Sequence, residues 1–145
     1  NEYCNFCKNK ENCNSCDKNK DNFIPNDDVK DDSYDVLIAN PPYSVKGFLE
    51  TLTETQRKQY SLFNDSLNIA KNNAIEIFFI ERAAQLLKAG GVAGIILPIS
   101  VLNKDGIFTK AREIIFQQFD IVALVEFGSG TFGKTGTNTI TINIE

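Results

Sequence analysis

The feature that most constrains the fold of this chain is a regular succession of short apolar runs and amphipathic stretches over most of its length. Continuous apolar runs at residues 34–39, 92–97 and 121–127 have the length of buried strands. Between them, apolar side chains recur at helical spacing in residues 74–88 and 108–119. This strand, helix, strand, helix, strand order predicts parallel βαβ units, which place the chain in the α/β class.

The last apolar stretch, residues 139–144, alternates between apolar and polar side chains with the period of two that suits a strand. The glycine-rich loop between it and residues 121–127 is too short for a parallel crossover, so antiparallel pairing with that strand is expected. We therefore predict an open sheet with a parallel core and a reversed last strand at its edge. Gly90 and Gly91 are expected to end the helix of residues 74–88.

All four cysteines lie near the start of the chain, as two Cys-x-x-Cys pairs separated by five residues: Cys4, Cys7, Cys13 and Cys16. Such spacing lets both thiolates of a pair point at one metal, which predicts a structural zinc site with four sulfur ligands. Zinc would hold together a polar, asparagine-rich segment that cannot form its own core. A redox-active dithiol pair stays open as an alternative, as do the disulfides of a secreted protein, although no signal segment opens the chain.

The composition divides the chain into two parts. Residues 17–33 are polar and acidic, which indicates a linker or surface loop. We therefore expect a cysteine-rich zinc-binding segment with an acidic linker at residues 1–33 and an α/β unit at residues 34–145. Within the second part, residues 49–63 are expected to hold a further helix. No apolar run approaches the length that a membrane helix requires, so no membrane partner is expected.

The charge balance and the lack of histidine limit the functions that this chain can have. The net charge is −4, and the excess of acidic side chains lies near the start, where residues 1–35 carry 5 Lys against 9 Asp and Glu. In the rest of the chain, basic and acidic side chains balance each other. This is unlike the basic surface of a self-sufficient DNA-binding domain, so most contacts to any DNA phosphates must come from elsewhere. Histidine is absent, which removes the commonest general base.

The motif that carries chemistry is Asn40-Pro41-Pro42-Tyr43, directly after the first predicted strand. Ligands of open α/β sheets bind outside the carboxyl ends of the strands. The Asn40 carboxamide oxygen is an acceptor, and the two prolines remove N–H donors while leaving their carbonyls free to accept. The Tyr43 ring can stack on a flat group. This combination suits a planar group bearing an NH2, such as a nucleobase or a carboxamide, whereas the non-functional alternative is a simple Asn-Pro turn.

The segment DVLIANPPYS, residues 35–44, resembles the catalytic strand and loop of S-adenosylmethionine-dependent amino-methyltransferases. Residues 78–102 and 111–142 follow in the order found in N6-adenine DNA methyltransferases of restriction–modification systems, and resemble type I modification subunits in particular. The resemblance covers residues 34–145. It implies a partial Rossmann-like S-adenosylmethionine-dependent methyltransferase sheet, of which this chain is the C-terminal half, beginning at the family's fourth strand.

The resemblance also implies roles for single residues. Asn40 and Pro41 would accept the two N6 hydrogens of adenine, with Pro42 completing the catalytic loop and Asn40 adjoining the cofactor. Tyr43 and Phe132 would stack on the flipped target base. The glycine-rich cofactor loop that the family places before this motif is missing, because residues 1–33 contain no glycine. This chain alone is therefore expected neither to bind S-adenosylmethionine tightly nor to turn over.

For the full-length protein, the resemblance implies a cytoplasmic, adenine-specific DNA methyltransferase with specificity and restriction subunits or domains as partners. The isolated chain is expected to dimerise through the exposed edge of its first strand. Two other functions stay open. One is a methyltransferase acting on an RNA base or a protein glutamine, and the other is a non-catalytic, zinc-stapled binding module derived from the enzyme.

Overall fold

A computed structural model describes residues 29–63, 68, 72, 74–128, 130–131 and 137–145. The strands of this part of the chain are β1 (Tyr34–Ala39), β2 (Leu87–Pro98), β3 (Ile121–Phe127) and β4 (Thr139–Ile144). Its α-helices are α1 (Phe48–Thr51), α2 (Glu54–Arg57), α3 (Phe78–Leu86), α4 (Ser100–Asn103) and α5 (Ile107–Gln118). A 3₁₀ helix, Ile75–Ile77, leads into α3. None of these helices has the length and apolar character that crossing a membrane requires.

The strands form one mixed sheet in the order β1-β2-β4-β3. The pairing of β1 with β2 is parallel, and β4 pairs antiparallel with both β2 and β3, as predicted for β3. The predicted position of β4 at the edge is wrong, because it lies between β2 and β3 and limits parallel pairing to β1 and β2. The side chains explain this place: Ile140, Ile142 and Ile144 are almost fully buried, whereas most of β3 is exposed.

The predicted role of Gly90 and Gly91 as a helix end is also wrong. Helix α3 ends at Leu86, and both glycines lie inside β2. Gly90 has a φ of 76°, a conformation that glycine adopts at no steric cost. A Cβ atom on Gly91 would lie 2.9 Å from the carbonyl oxygens of Lys88 and Tyr34, so only glycine fits this close backbone approach.

These glycines belong to a bulge in the parallel ladder. Tyr34 pairs with Leu87, but the next paired residue, Val36, faces Val92. One residue of β1 therefore faces residues 88–91 of β2, which is the local irregularity that a β-bulge produces. Beyond the bulge, Leu37 pairs with Ala93 and Ala39 with Ile95, and these four side chains lie on the covered face.

The single helix predicted over residues 49–63 is replaced by α1 and α2. The chain is extended at Leu52 and Thr53, between the two helices. The Thr53 side chain accepts the Gln56 N–H, and the Gln56 side chain accepts the Thr53 N–H. This capping box starts a new helix instead of continuing the old one.

The helices cover one face of the sheet. The core combines alternate residues of β2 and β4 with apolar residues of α3 and α5, and Leu37 and Ala39 of β1 pack against it. On the other face, Val36 and Ile38 of β1 are exposed, Ile38 to 86%. Val92 and Val122 are also exposed there. β1 is thus an edge strand with one covered and one open face.

Candidate active site

The Asn-Pro-Pro-Tyr motif lies at the carboxyl end of the parallel strand pair. Asn40 follows β1 directly, and Ala39 is paired with Ile95 in β2. Pro41 is buried, Tyr43 is half-buried, and Asn40 and Pro42 are exposed. This is the edge at which open α/β sheets bind ligands. The buried Pro41 anchors the loop, while Asn40 is left accessible.

The Tyr43 hydroxyl connects the motif to β2. Its oxygen lies 3.2 Å from Oδ1 of Asn40 and 3.2 Å from the carbonyl oxygen of Ile96, and it can donate to either acceptor. Burial raises the pKa of Tyr43, and the nearby Glu76 carboxylate raises it further. The phenol therefore stays protonated at neutral pH and acts as a donor.

The backbone after Tyr43 is held by a carboxylate that does not belong to the predicted motif. The N–H of Ser44 donates to Oε2 of Glu76 at 2.9 Å. Glu76 is 1% exposed and lies in the 3₁₀ helix before α3. In the sequence, Glu76 could have been noticed as an acidic residue inside the otherwise apolar run of residues 74–80.

The topology brings a second loop to the same end of the sheet. Thr139, the first residue of β4, is paired with Phe127 at the end of β3 and with Pro98 at the end of β2. The loop that joins β3 to β4 therefore begins and ends near the carboxyl end of β2. The candidate stacking residue Phe132 belongs to this loop but lies outside the described residues.

The candidate zinc ligands also lie outside the described residues: Cys4, Cys7, Cys13 and Cys16. Across the stretches that the structure does describe, no cluster of His, Cys, Asp and Glu side chains could hold a metal ion.

The arrangement at Asn40 can bind a planar group that carries hydrogen-bond donors. The Asn40 carboxamide oxygen is accessible and is oriented by the Tyr43 hydroxyl. An amide oxygen has two lone pairs, so it can accept from Tyr43 and from one further donor. Histidine is absent from the chain, so a reaction here has to proceed without an imidazole base.

Comparisons with known proteins identify the family to which the chain is similar. The Eco57I restriction-modification methylase family matches residues 1–132. The chain is 30% identical over 111 residues to the type II restriction enzyme and methyltransferase RM.Eco57I of Escherichia coli. That alignment covers 76% of this chain and 11% of RM.Eco57I, so the chain spans only a small part of its relative.

Solved structures share the fold at lower sequence identity. The methyltransferase subunit of a type I restriction–modification system from Streptococcus thermophilus matches with a TM-score of 0.62 and 20% identity, over 87% of this chain and 26% of that one. A Listeria monocytogenes protein assigned to the class I S-adenosylmethionine-dependent methyltransferases matches with a TM-score of 0.59 and 19% identity, over 77% of this chain and 31% of that one.

The structural likeness confirms that the mixed sheet has the fold of S-adenosylmethionine-dependent methyltransferases, and the family match confirms the resemblance to restriction–modification methyltransferases. This chain belongs to the Eco57I restriction-modification methylase family.

Proposed function

We propose that residues 34–145 form the C-terminal half of the catalytic domain of a DNA methyltransferase, which transfers a methyl group from S-adenosylmethionine to adenine N6 in a restriction–modification system. The observation that best supports this proposal is the position of Asn40 at the carboxyl end of the parallel strand pair, with its side-chain oxygen in contact with the Tyr43 hydroxyl. Family membership supports a methyltransferase role.

In the proposed reaction, the Asn40 side-chain oxygen and the Pro41 carbonyl accept the two hydrogens of adenine N6. The N6 lone pair is conjugated into the ring, and these two acceptors shift electron density back onto the nitrogen. Bound S-adenosylmethionine supplies the electrophilic methyl group. The N6 proton leaves after methyl transfer, so the reaction needs no strong base, which agrees with the lack of histidine.

The target adenine has to leave the DNA duplex before Asn40 can reach it. Unstacking and unpairing a base costs a few kcal/mol, roughly, and stacking inside the pocket offsets part of this cost. We assign the Tyr43 ring to one face of the flipped base and Phe132 to a second aromatic contact. The sequence supports this role for Phe132. The loop after β3 supports it as well, because both ends of that loop lie at the same end of the sheet as Asn40.

The described residues provide only part of a cofactor site. Asn40 stands where it could adjoin the cofactor, but residues 1–33 of this sequence contain no glycine that could form a glycine-rich loop. We therefore assign tight S-adenosylmethionine binding to the full-length enzyme. The 145-residue chain is expected to give no measurable heat when titrated with S-adenosylmethionine in a calorimeter, and micromolar binding would contradict this assignment.

The first part of the chain, residues 1–33, is proposed to be a separate zinc-stapled segment with an acidic linker. Its two Cys-x-x-Cys pairs support a site with four thiolates. The role assigned to zinc is structural, because four thiolates close the coordination shell and leave no position for a substrate.

Partners of the full-length protein would be DNA containing the flipped adenine and specificity and restriction subunits or domains. RM.Eco57I is a restriction enzyme and methyltransferase, which supports the link to restriction. Residues 36–145 have no excess of basic side chains, so we assign most phosphate contacts to other parts of the full-length protein. We place the protein in the cytoplasm, where its DNA substrate is found.

A methyl-transfer assay on the full-length protein tests the proposed function. Labelled S-adenosylmethionine is offered with double-stranded DNA, with RNA and with a glutamine-containing peptide, and the methylated product is identified by mass spectrometry. We expect N6-methyladenine in DNA. Methylation of RNA or glutamine alone would select the other substrates, and no transfer to any of the three would favour a binding module.

A further inference from the structure

Glu76 is a core carboxylate to which the proposed reaction gives no role. It lies between Ile75 and Ile77 in the 3₁₀ helix, and only 1% of it is exposed. Burying a charged carboxylate costs free energy, and hydrogen bonds to the group offset part of that cost. Oε2 of Glu76 accepts the backbone N–H of Ser44 at 2.9 Å. This contact joins the helical segment to the residue that directly follows Tyr43.

The backbone at Ser44 needs such a contact. Its φ is 51°, in the left-handed region that residues with a Cβ atom disfavour. Conformations of this kind persist where the surrounding structure holds them in place. A hydrogen bond from an N–H group to a carboxylate is charge-assisted and stronger than one between neutral groups. Glu76 therefore stabilises the turn by which the chain leaves Tyr43.

We propose that Glu76 is a positioning residue for the Asn-Pro-Pro-Tyr loop. Its carboxylate fixes the Ser44 amide and thereby sets the direction in which the Tyr43 side chain reaches Asn40. The kinetic consequence of this inference rests on the proposed function, whereas the contact itself can be tested without any activity. Tyr43 also lies close enough to Glu76 for the carboxylate to contribute to its raised pKa.

Glu81 provides a matched control from the following helix. It is also buried, and its two oxygens accept the N–H groups of Ser61 and Leu62 at 2.5 and 3.1 Å. Glu81 therefore holds a different loop by the same kind of contact. A general loss of packing would lower the methyl-transfer rate of variants of both glutamates. Loss of loop positioning at the motif would lower it only in variants of Glu76.

The experiment compares Glu76→Gln, Glu76→Asp and Glu81→Asp in the full-length protein. Glutamine has the same length as glutamate and keeps an acceptor oxygen, but it carries no charge. Aspartate keeps the charge, but its side chain is one methylene shorter. Single-turnover methyl transfer to DNA and the Kd for DNA are measured for each variant. Amide hydrogen exchange is followed in a peptide of residues 40–45, in which neither proline has an N–H.

We expect Glu76→Asp to lower the single-turnover rate about ten- to a hundredfold, as a displaced reacting group does, with an unchanged Kd and faster exchange in residues 40–45. Glu76→Gln keeps an acceptor but replaces the charge-assisted hydrogen bond by a weaker neutral one, so it should lower the rate only about two- to tenfold and speed exchange in residues 40–45 less than Glu76→Asp does. Glu81→Asp should speed exchange only near residues 60–63 and leave the rate unchanged.

Three results would overturn the inference. Glu76→Asp could retain both the rate and the slow exchange, Glu81→Asp could lower the rate equally, or folded Glu76→Gln could exchange residues 40–45 as slowly as the wild type. The glutamine variant decides the question even if the aspartate variant does not fold. If the wild-type protein transfers no methyl group, the proposed function fails, and hydrogen exchange alone decides whether Glu76 holds the loop.

Discussion

The hydroxyl of Tyr43 lies 3.2 Å from the side-chain oxygen of Asn40, three residues earlier in the chain. The same hydroxyl lies 3.2 Å from the carbonyl oxygen of Ile96 in β2. The tyrosine therefore has two separable parts, a ring that can stack on a base and a hydroxyl that orients the candidate catalytic amide. Substitutions of Asn40 and Tyr43 can distinguish the contributions of the amide, the ring and the hydroxyl.

Asn40→Ala in the full-length enzyme should lower the rate of methyl transfer about a hundredfold to a thousandfold, as loss of one preorganised transition-state hydrogen bond does. Affinity for DNA and cofactor should change little, because the lost acceptor acts mainly in the transition state. Single-turnover kinetics and binding titrations measure both quantities. Asn103→Ala, at an exposed residue of α4, is the control, and near-normal turnover by Asn40→Ala would refute the assignment.

Tyr43→Phe should lower the methyl-transfer rate about two- to tenfold, the equivalent of one ordinary hydrogen bond. From the sequence alone this substitution is expected to be tolerated because the ring remains, but the contact with Asn40 adds a role for the hydroxyl. Tyr43→Ala removes the ring as well and should cost considerably more. Equal rates for the alanine and phenylalanine variants would argue against stacking by the ring.

Gly91→Ala should destabilise the fold by about 1–3 kcal/mol, as overpacking does. The added Cβ would lie 2.9 Å from two backbone carbonyl oxygens, which cannot move without disturbing the β1–β2 ladder. Denaturant unfolding measures the change. Gly128→Ala is the matched control, since a Cβ atom added there would have no atom within 4 Å beyond its chain neighbours. Equal stabilities of the two variants would contradict the close approach at the bulge.

The purified chain should contain about one zinc ion held by four thiolates. Elemental analysis gives the metal content, and titration with a thiol reagent before and after chelation counts the protected cysteines. Cys13→Ser should lower the zinc content because it removes one of the four ligands. A metal-free chain with all four thiols freely reactive would contradict the zinc proposal.

The isolated chain should dimerise or aggregate through β1, because an exposed apolar edge strand recruits further strands. Ile38 is the most exposed large apolar side chain of β1, at 86%. Ile38→Lys should shift light scattering toward the monomer, since a charged lysine protects an edge. Phe116→Lys replaces a side chain of α5 that is 71% exposed and should have no such effect. A monomeric wild-type chain would rule out this association.

Local patterns in the sequence determined several elements of this protein. The limits of β1, β3 and β4 match the predicted ones because each strand is a short apolar or alternating run between polar or glycine-rich segments. The antiparallel pairing of β4 with β3 followed from the short loop between them. The motif at Asn40 could be placed at a strand end because it directly follows β1.

Contacts between distant residues were decided by the tertiary structure. The insertion of β4 between β2 and β3 depends on which strand buries its isoleucines best, a comparison that no local pattern contains. Gly91 meets the Tyr34 carbonyl, and Glu76 meets the Ser44 amide 32 residues away, only after the sheet and helices have packed. Sequence periodicity reports which face of an element is apolar, whereas the partner of a buried polar group depends on the path of the whole chain.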